Sequence, residues 1–274
     1  MRHVGLTRAA LRPPFPSQFC PRLHYAGSND EFKLLVLEML GPNLEDVFNL
    51  CNQSRRPADR SFSLETISVL AIEALHCLKQ LHRAGFVHND VRPQNFVMSR
   101  NYRRTELYMI GFGHAKRFID PNTRRHIVQG RMPMQPELVQ SSFCPVDAYE
   151  GHTVGRRSDM EALGYMLLYF ARGTLPWDAA TPTSPLADTG SNIRNPGVAK
   201  HMKSETSVDE LCAGLPTQLA AYLSYVRGLA FDEQPDYKLC QDLFLSLVAD
   251  SGFSLSTVPC DWMVLGAPAG KTRR

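Results

Sequence analysis

The sequence places a carboxylate and a side-chain amide five residues apart in one polar segment. The carboxylate is Asp90 and the amide is Asn95, within residues 88–96, which read His-Asn-Asp-Val-Arg-Pro-Gln-Asn-Phe. Phosphoryl transfer uses a carboxylate to accept the proton of the attacking hydroxyl and an oxygen ligand to hold a metal ion. The spacing therefore predicts this chemistry, with Asp90 as base and Asn95 as metal ligand. The alternative is a pair of turn residues, because Asp and Asn are common in loops.

The elements on either side predict how this segment is positioned. Ser63 is the expected N-cap of a long helix that ends at Gly85. Apolar residues recur every three or four positions along it: Leu64, Ile67, Leu70, Ala71, Ala74, Leu75, Leu78 and Leu81. Residues 96–98 and 107–110 are short and apolar and flank a turn-prone stretch, which predicts a hairpin. The polar segment is thus expected between a helix and a hairpin.

Other elements follow from shorter signals. Residues 32–39 predict a buried strand that ends at Gly41-Pro42, and Asn43 is the expected N-cap of the next helix. Residues 111–155 show no sustained period and predict a long irregular loop. Further helices are predicted at 159–172, 217–229 and 237–248, the first of them apolar on nearly every face. Strands early and helices later indicate an α+β fold.

Composition limits the class of function. A chain of 274 residues with 43% hydrophobic content can bury a sizeable core. The formal charge of +3 is too small to predict binding to nucleic acid or to a membrane. The longest apolar run, residues 163–171, is far shorter than the roughly 20 residues that a spanning helix needs. A protein substrate or protein partner, bound by a monomer, is the remaining expectation.

The seven cysteines are scattered along the chain and form no C-x-x-C pair. Such a pattern favours reduced thiols over zinc or disulfide sites, which predicts a cytoplasmic or nuclear protein. The first 29 residues contain four arginines, no acid and several prolines. We expect residues 1–19 to be a disordered or unrelated leader, with an organelle transit peptide as the alternative. Residues 264–274 are expected to be a flexible tail.

The segment around Asp90 resembles the casein kinase 1 group of protein kinases. It matches that group's pattern His-Arg-Asp-Val-Lys-Pro-Asp-Asn-Phe at six of nine positions. Other blocks agree in order, among them residues 40–46 (Leu-Gly-Pro-Asn-Leu-Glu-Asp), 173–177 (Gly-Thr-Leu-Pro-Trp) and 231–237 (Phe-Asp-Glu-Gln-Pro-Asp-Tyr). Residues 146–147 and 156–159 also resemble the sister group of vaccinia-related kinases. The likeness extends over about residues 20–263.

The resemblance implies a protein-kinase-like fold, serine/threonine kinase activity, and ATP and Mg²⁺ as cofactors. Residues 20–40 would be a truncated β-rich small lobe with its hinge strand, and residues 41–263 a nearly complete helical large lobe. Six nucleotide contacts are implied: Leu37 as gatekeeper, Glu38 and Leu40 through backbone bonds to adenine, Asp46 near the ribose, and Val97 and Ile110 beneath the base. Core packing would explain the apolar ones equally well. Asp159 would accept backbone amides of the Asp90 segment, with an ordinary acidic residue at a helix start as the alternative.

The sequence departs from the family pattern at residues that matter for catalysis. Gly111 stands where the family has the aspartate that chelates Mg²⁺, which leaves Asn95 as a weak single metal ligand. A glycine-rich loop and a phosphate-binding lysine are missing, because Lys33, the first lysine, lies on the expected hinge strand. Arg92 replaces the catalytic-loop lysine and keeps a cation in a changed geometry. Asn89 replaces the loop arginine, which predicts an activation loop no longer held by charge.

These departures favour a catalytically impaired pseudokinase that acts through protein contacts and binds ATP and Mg²⁺ weakly or not at all. One alternative is an active serine/threonine kinase in which Asp90, Arg92 and Asn95 still do the chemistry. Another is a gene fragment without function. Arg131, Arg156 and Arg157 are either an anion site or solvated loop arginines.

Overall fold

A computed structural model describes residues 19–29, 31–101, 104–133, 135–178 and 196–265. The strands are β1 (Leu23–Ser28), β2 (Lys33–Leu37), β3 (Phe86–Val87), β4 (Phe96–Met98), β5 (Leu107–Met109) and β6 (Lys116–Arg117). The helices are α1 (Leu44–Cys51), α2 (Leu64–Arg83), α3 (Pro136–Val139), α4 (Val146–Tyr149), α5 (Arg156–Arg172), α6 (Pro196–Glu205), α7 (Val208–Leu211), α8 (Thr217–Gly228), α9 (Tyr237–Asp250) and α10 (Asp261–Leu265). Small sheets and many helices make this an α+β fold.

Parts of two expectations lie outside the described residues. These are the leader up to residue 18 and the tail beyond residue 265. At the edges of these parts, Phe19 is fully buried in the core, and Val264 and Leu265 belong to α10.

The strands form three antiparallel pairs, β1 with β2, β3 with β6, and β4 with β5. The pairing of β4 with β5 confirms the hairpin after the Asp90 segment. The prediction that the strand before Gly41 is buried is wrong, because every residue of β2 is exposed. A continuous apolar run is typical of a strand covered on both faces. Among the described residues β2 pairs only with β1, so both faces of the hairpin meet solvent.

The first two helices begin at the predicted caps. The Asn43 side chain accepts a hydrogen bond from the Asp46 backbone N–H, and α1 buries Leu44, Val47 and Phe48. The Ser63 hydroxyl accepts from the Thr66 N–H in the same way and starts α2. Each cap satisfies a backbone donor that the first helical turn leaves free.

Helix α5 runs through the centre of the helical region and is buried on nearly all sides, as predicted. It starts at Arg156, three residues before the predicted start, because the Gly155 N–H donates to the Ser158 hydroxyl and closes the first turn. It ends at Gly173, which has a φ of +73°. A Cβ at this position would collide with the carbonyl oxygen of Pro57, so glycine is required for the tight approach.

The segment from Gly111 to Gly155 is less irregular than predicted. It contains a 3₁₀ turn at Phe112–His114, strand β6 and the short helices α3 and α4. Each of these elements is four residues or fewer, too short to produce a hydrophobic period in the sequence. Helices α8 and α9 occur where predicted, and α6, α7 and α10 are additional.

Candidate functional site

One buried carboxylate of α5 holds the segment that carries Asp90. Asp159 is 2% exposed and accepts hydrogen bonds from the backbone N–H groups of His88 (2.6 Å) and Asn89 (2.8 Å). Two amides that face a carboxylate away from water form charge-assisted bonds, which are among the stronger ones in proteins. The position of the Asp90 segment is therefore set by α5, some seventy residues further along the chain.

The side chain of His82 extends this anchor to two more helices. Its Nε2 lies 2.9 Å from Asp159 Oδ2, and its Nδ1 lies 2.6 Å from the Tyr237 hydroxyl at the start of α9. An Nε2–H that donates to the carboxylate leaves Nδ1 to accept the tyrosine proton. Sequence reasoning missed both residues. The available signal was a histidine four residues after Leu78, on an otherwise apolar face of α2.

His88 connects the Asp90 segment to the residues after β5. Its Nε2 donates to the Ile110 carbonyl oxygen (2.8 Å), and its Nδ1 accepts the Asp90 N–H (3.3 Å). Burial lowers the pKa of His88, so the ring stays neutral and can serve as donor on one side and acceptor on the other. The backbone at residue 110 is therefore fixed next to the candidate base.

The structure brings together the three side chains predicted to carry catalysis. The Asn95 Nδ2 donates to the Asp90 carbonyl oxygen (2.7 Å) and to Asp90 Oδ2 (2.8 Å). The Arg92 Nε lies 3.4 Å from the same carboxylate oxygen. The Asp90 side chain is 9% exposed, whereas that of Arg92 is 37% exposed. The Asp90 carboxylate is therefore already engaged by two neighbouring side chains.

Gly111 contributes no ligand to this arrangement and has a left-handed backbone, with a φ of +78°. A Cβ at this position would collide with the carboxamide of Asn95. The Asn95 side chain thus lies in the space that a Cβ atom on residue 111 would need. The residues present do not suit Mg²⁺, a hard cation that prefers carboxylate oxygens, because neither position offers one.

The basic residues weighed as an anion site are already engaged, with one exception. Arg157 makes a two-pronged ion pair with Asp147, with its Nε 3.0 Å and its Nη2 2.8 Å from the two carboxylate oxygens. The Nη2 of Arg156 donates to the Asp232 carbonyl oxygen, and its guanidinium stacks on the Phe118 ring. Both are structural contacts. Arg131 is exposed.

Asn89 makes a neutral contact to the segment that follows β5. Its backbone is left-handed, with a φ of +63°, a conformation that asparagine tolerates better than most residues. Its Nδ2 lies 3.4 Å from the His114 carbonyl oxygen, the length of a weak hydrogen bond. The link between the two segments is therefore a neutral one here.

Three of the six residues predicted to contact a nucleotide lie on elements, namely Leu37 on β2, Asp46 on α1 and Val97 on β4, and the other three lie in connecting segments. Leu37 is exposed at the end of β2, and Glu38 is tied to β1 by its N–H, which donates to the Arg22 carbonyl oxygen (2.8 Å). Asp46 is exposed in the first turn of α1, close to Leu40 along the chain. Val97 in β4 is buried beside the start of α1, and Ile110 follows β5. The two cavities found beside Asn89 are lined by other residues.

Comparison with known proteins agrees with this geometry. A family profile described as protein kinase domain matches residues 18–226. The chain belongs to the protein kinase family. It is 33% identical over 252 residues to casein kinase I homolog 2 of Schizosaccharomyces pombe, which supports its place in the casein kinase 1 group. The aligned region is 91% of this chain and 54% of the relative, so the kinase-like chain spans about half the length of that curated relative.

The family assignment separates the parts of the kinase site that keep their geometry from the one that does not. In this kinase domain, the Asp90 segment is anchored by Asp159 and brings Arg92 and Asn95 to the candidate base. At Gly111 the kinase pattern lacks its carboxylate, and a neighbouring amide takes up the space.

Proposed function

We propose that this protein is a casein kinase 1-like pseudokinase, a domain with the kinase fold that does not transfer phosphate and acts through protein contacts. The observation that carries the proposal is the position of Asn95, whose carboxamide fills the space beside Gly111. Kinase catalysis consists mainly of positioning and of neutralising phosphate charge with Mg²⁺. A site without the chelating carboxylate lacks the means to do the second.

The contacts of Asn95 support the same reading. Its Nδ2 donates twice to Asp90, so the amide serves to close the loop on itself. Asp90 in turn has one carboxylate oxygen in contact with both Asn95 and Arg92. A base must accept the proton of an incoming hydroxyl, and the Asp90 oxygen that already accepts from Asn95 is less open to that proton.

The position of Lys33 in the described hairpin argues against a role for this lysine in binding phosphate. Lys33 lies at the start of β2, opposite Ser28 and beside the hairpin turn. A lysine at that place is at the far end of β2 from Leu40 and from the Asp90 segment. We propose that residues 41–263, the large lobe, form the unit that contacts a partner.

An active serine/threonine kinase is the second candidate function, and one observation favours it. The Asp159 anchor keeps the Asp90 segment in a defined conformation, with Asp90, Arg92 and Asn95 together. In this alternative Asp90 is the base, Asn95 holds the metal, and ATP binds over Leu37, Glu38, Leu40, Asp46, Val97 and Ile110. Phosphate transfer would then require a substrate that displaces the hydrogen bond from Asn95 to Asp90.

One experiment separates the two candidates. Thermal unfolding is followed with ATP, with and without Mg²⁺, and incorporation of radiolabelled phosphate into casein is measured in parallel with a fully active casein kinase 1 domain. We expect no metal-dependent stabilisation and no incorporation. Metal-dependent stabilisation together with incorporation that is lost in Asp90→Ala would overturn the pseudokinase proposal.

The cellular setting is part of the proposal. All seven cysteines are free thiols, which supports a reducing compartment, and we propose the cytoplasm or nucleus. None of the helices in the described part of the chain is both long and apolar enough to cross a membrane. The proposed protein acts as a monomer that engages a protein partner, and sedimentation velocity of the purified chain tests the monomeric state.

A further inference from the structure

A lysine of α6 is completely buried, which is rare because the ammonium group is strongly hydrated. Lys203 is 0% exposed and ranks among the largest fully buried side chains of the described residues. Its Nζ donates to the carbonyl oxygens of Ser142 (2.9 Å) and Cys144 (2.6 Å). A backbone carbonyl outside a helix or strand needs a partner when it is buried, and Lys203 supplies one for both.

Aromatic rings surround the same ammonium. Its Nζ lies 4.7 Å from the centre of the Trp177 ring, 4.9 Å from that of Tyr165 and 5.1 Å from that of Tyr149. Cation–π attraction to three rings offsets part of the lost hydration. The Trp177 indole also donates to the Ser142 carbonyl oxygen (2.8 Å), so this carbonyl is held from two sides.

Residues 141–145, here called the 141–145 wall, form one side of a shallow cavity whose other side is the catalytic loop. Ser141, Phe143, Cys144 and Pro145 line it together with Asn89, Asp90 and Val91. Lys203 touches the wall from behind and lines no part of this cavity. The position of the wall relative to Asp90 therefore depends on a residue that does not face the site.

The cost of burying the Lys203 ammonium indicates that the charge serves to hold neighbouring groups in place. Burial lowers the pKa of Lys203 to about 8, while the nearby carboxylates of Glu161 and Asp178 partly restore it. An apolar side chain of similar volume would fill this space without the cost of removing an ion from water. What it could not do is hold two carbonyl oxygens in place.

We propose that Lys203 is a positioning residue, which fixes the 141–145 wall of the candidate site against the helical core. This role rests on the proposed function, because Lys203 then shapes the surface beside Asp90 that a protein partner contacts. It concerns the wall itself and holds whether or not Asp90 supports phosphate transfer.

Hydrogen–deuterium exchange of the full chain tests the proposal. In Lys203→Met, the reporters are the Cys144 N–H, which donates to the Ser141 carbonyl, and the Val146 N–H, which donates to Glu161. We expect exchange in residues 141–146 to be about tenfold faster or more, as for loss of a charge-assisted bond, while the unfolding midpoint changes little. Lys238→Met, on the exposed face of α9, is the control and leaves exchange at the wall unchanged.

A second variant keeps the test decisive if Lys203→Met does not fold. Lys203→Gln retains an N–H donor in a side chain that the three surrounding rings can hold. Amide exchange in the 141–145 wall should therefore rise less than in the methionine variant. Exchange at the wall that stays as in the wild type in the folded variants would overturn the proposal. So would acceleration spread evenly over the chain, because Lys203 would then be a core residue without a positional role.

Discussion

The carboxamide oxygen of Asn95 lies so close to Gly111 that it would overlap a Cβ atom on residue 111. The two positions are therefore coupled: a glycine at 111 is what permits Asn95 to fold onto Asp90. Replacing the missing carboxylate is consequently not a matter of one substitution, because the space for it has been taken up.

Gly111→Asp is expected to destabilise the protein without creating a magnesium site. The new side chain would meet Asn95 and would sit at a positive φ, which together cost about 2 to 4 kcal/mol in free energy of unfolding. Urea denaturation measures the loss, and thermal shift with ATP and Mg²⁺ measures the binding.

Gly113→Asp is the matched control, because a Cβ at Gly113 meets open space and its φ is not positive. Its free energy of unfolding should stay within about 1 kcal/mol of the wild type. A Gly111→Asp variant as stable as this control, or one stabilised by Mg²⁺ with ATP, would contradict the coupling.

Asp159→Asn should loosen the Asp90 segment. The carboxylate accepts two backbone amides and faces His82, and an amide group in its place turns a donor toward donors. We expect a loss of about 2 to 4 kcal/mol and faster amide exchange at residues 88–89. Asp242→Asn, which removes an exposed pair with Lys238, should cost less than about 0.5 kcal/mol. Equal losses in the two variants would argue against the anchor.

Glu73 on α2 should make stability fall as pH rises. Burial raises the pKa of Glu73 from 4.5 to about 7, with a hydrogen bond to the Leu107 backbone opposing and Glu106 adding to the shift. Between these two pH values the folded state keeps a proton that the unfolded state has lost, so the free energy of unfolding declines and stays lower above pH 7.

Glu73→Gln is therefore expected to stabilise the protein by about 1 to 3 kcal/mol at pH 8 and much less at pH 4.5. Urea unfolding at both pH values gives the comparison. Glu31→Gln, on the exposed turn before β2, should show no such difference. A Glu73→Gln effect of the same size at both pH values would rule out proton linkage as its cause.

The exposed face of β2 predicts tolerance to substitution. Leu35 is 39% exposed, so Leu35→Ala should cost less than about 1 kcal/mol in free energy of unfolding. Leu78→Ala, at a fully buried position of α2, should cost about 2 to 5 kcal/mol. Chemical denaturation of both variants checks the contrast. Similar costs would mean that β2 is covered in solution.

The sequence predicts the helices of this fold well where a local cap and a long period coincide. Asn43 and Ser63 cap their helices as expected, because capping involves only residues three positions apart. Helix α6 is missed because its buried residues are Ala199 and Lys203, and a hydrophobic pattern counts lysine as exposed. The burial of β2 is mispredicted because it depends on neighbours that the strand itself does not encode.

The sequence identifies Asp90, Arg92 and Asn95 as candidate site residues but does not predict the contacts among them. The spacing of Asp90 and Asn95 identifies the loop, and the family pattern adds Arg92. Side-chain direction is not contained in such spacing, so the turn of the Asn95 amide toward Asp90 becomes visible only in three dimensions. The same holds for His82, whose partners Asp159 and Tyr237 are distant in the chain.

The anchoring of His88 and Asn89 by Asp159 has a consequence for synthesis on the ribosome. The two amides emerge about seventy residues before the carboxylate that fixes them. At roughly 5 to 20 residues per second this is a delay of roughly 4 to 14 seconds, during which the nascent loop has no partner from α5. The loop therefore reaches its final conformation late in the synthesis of the chain.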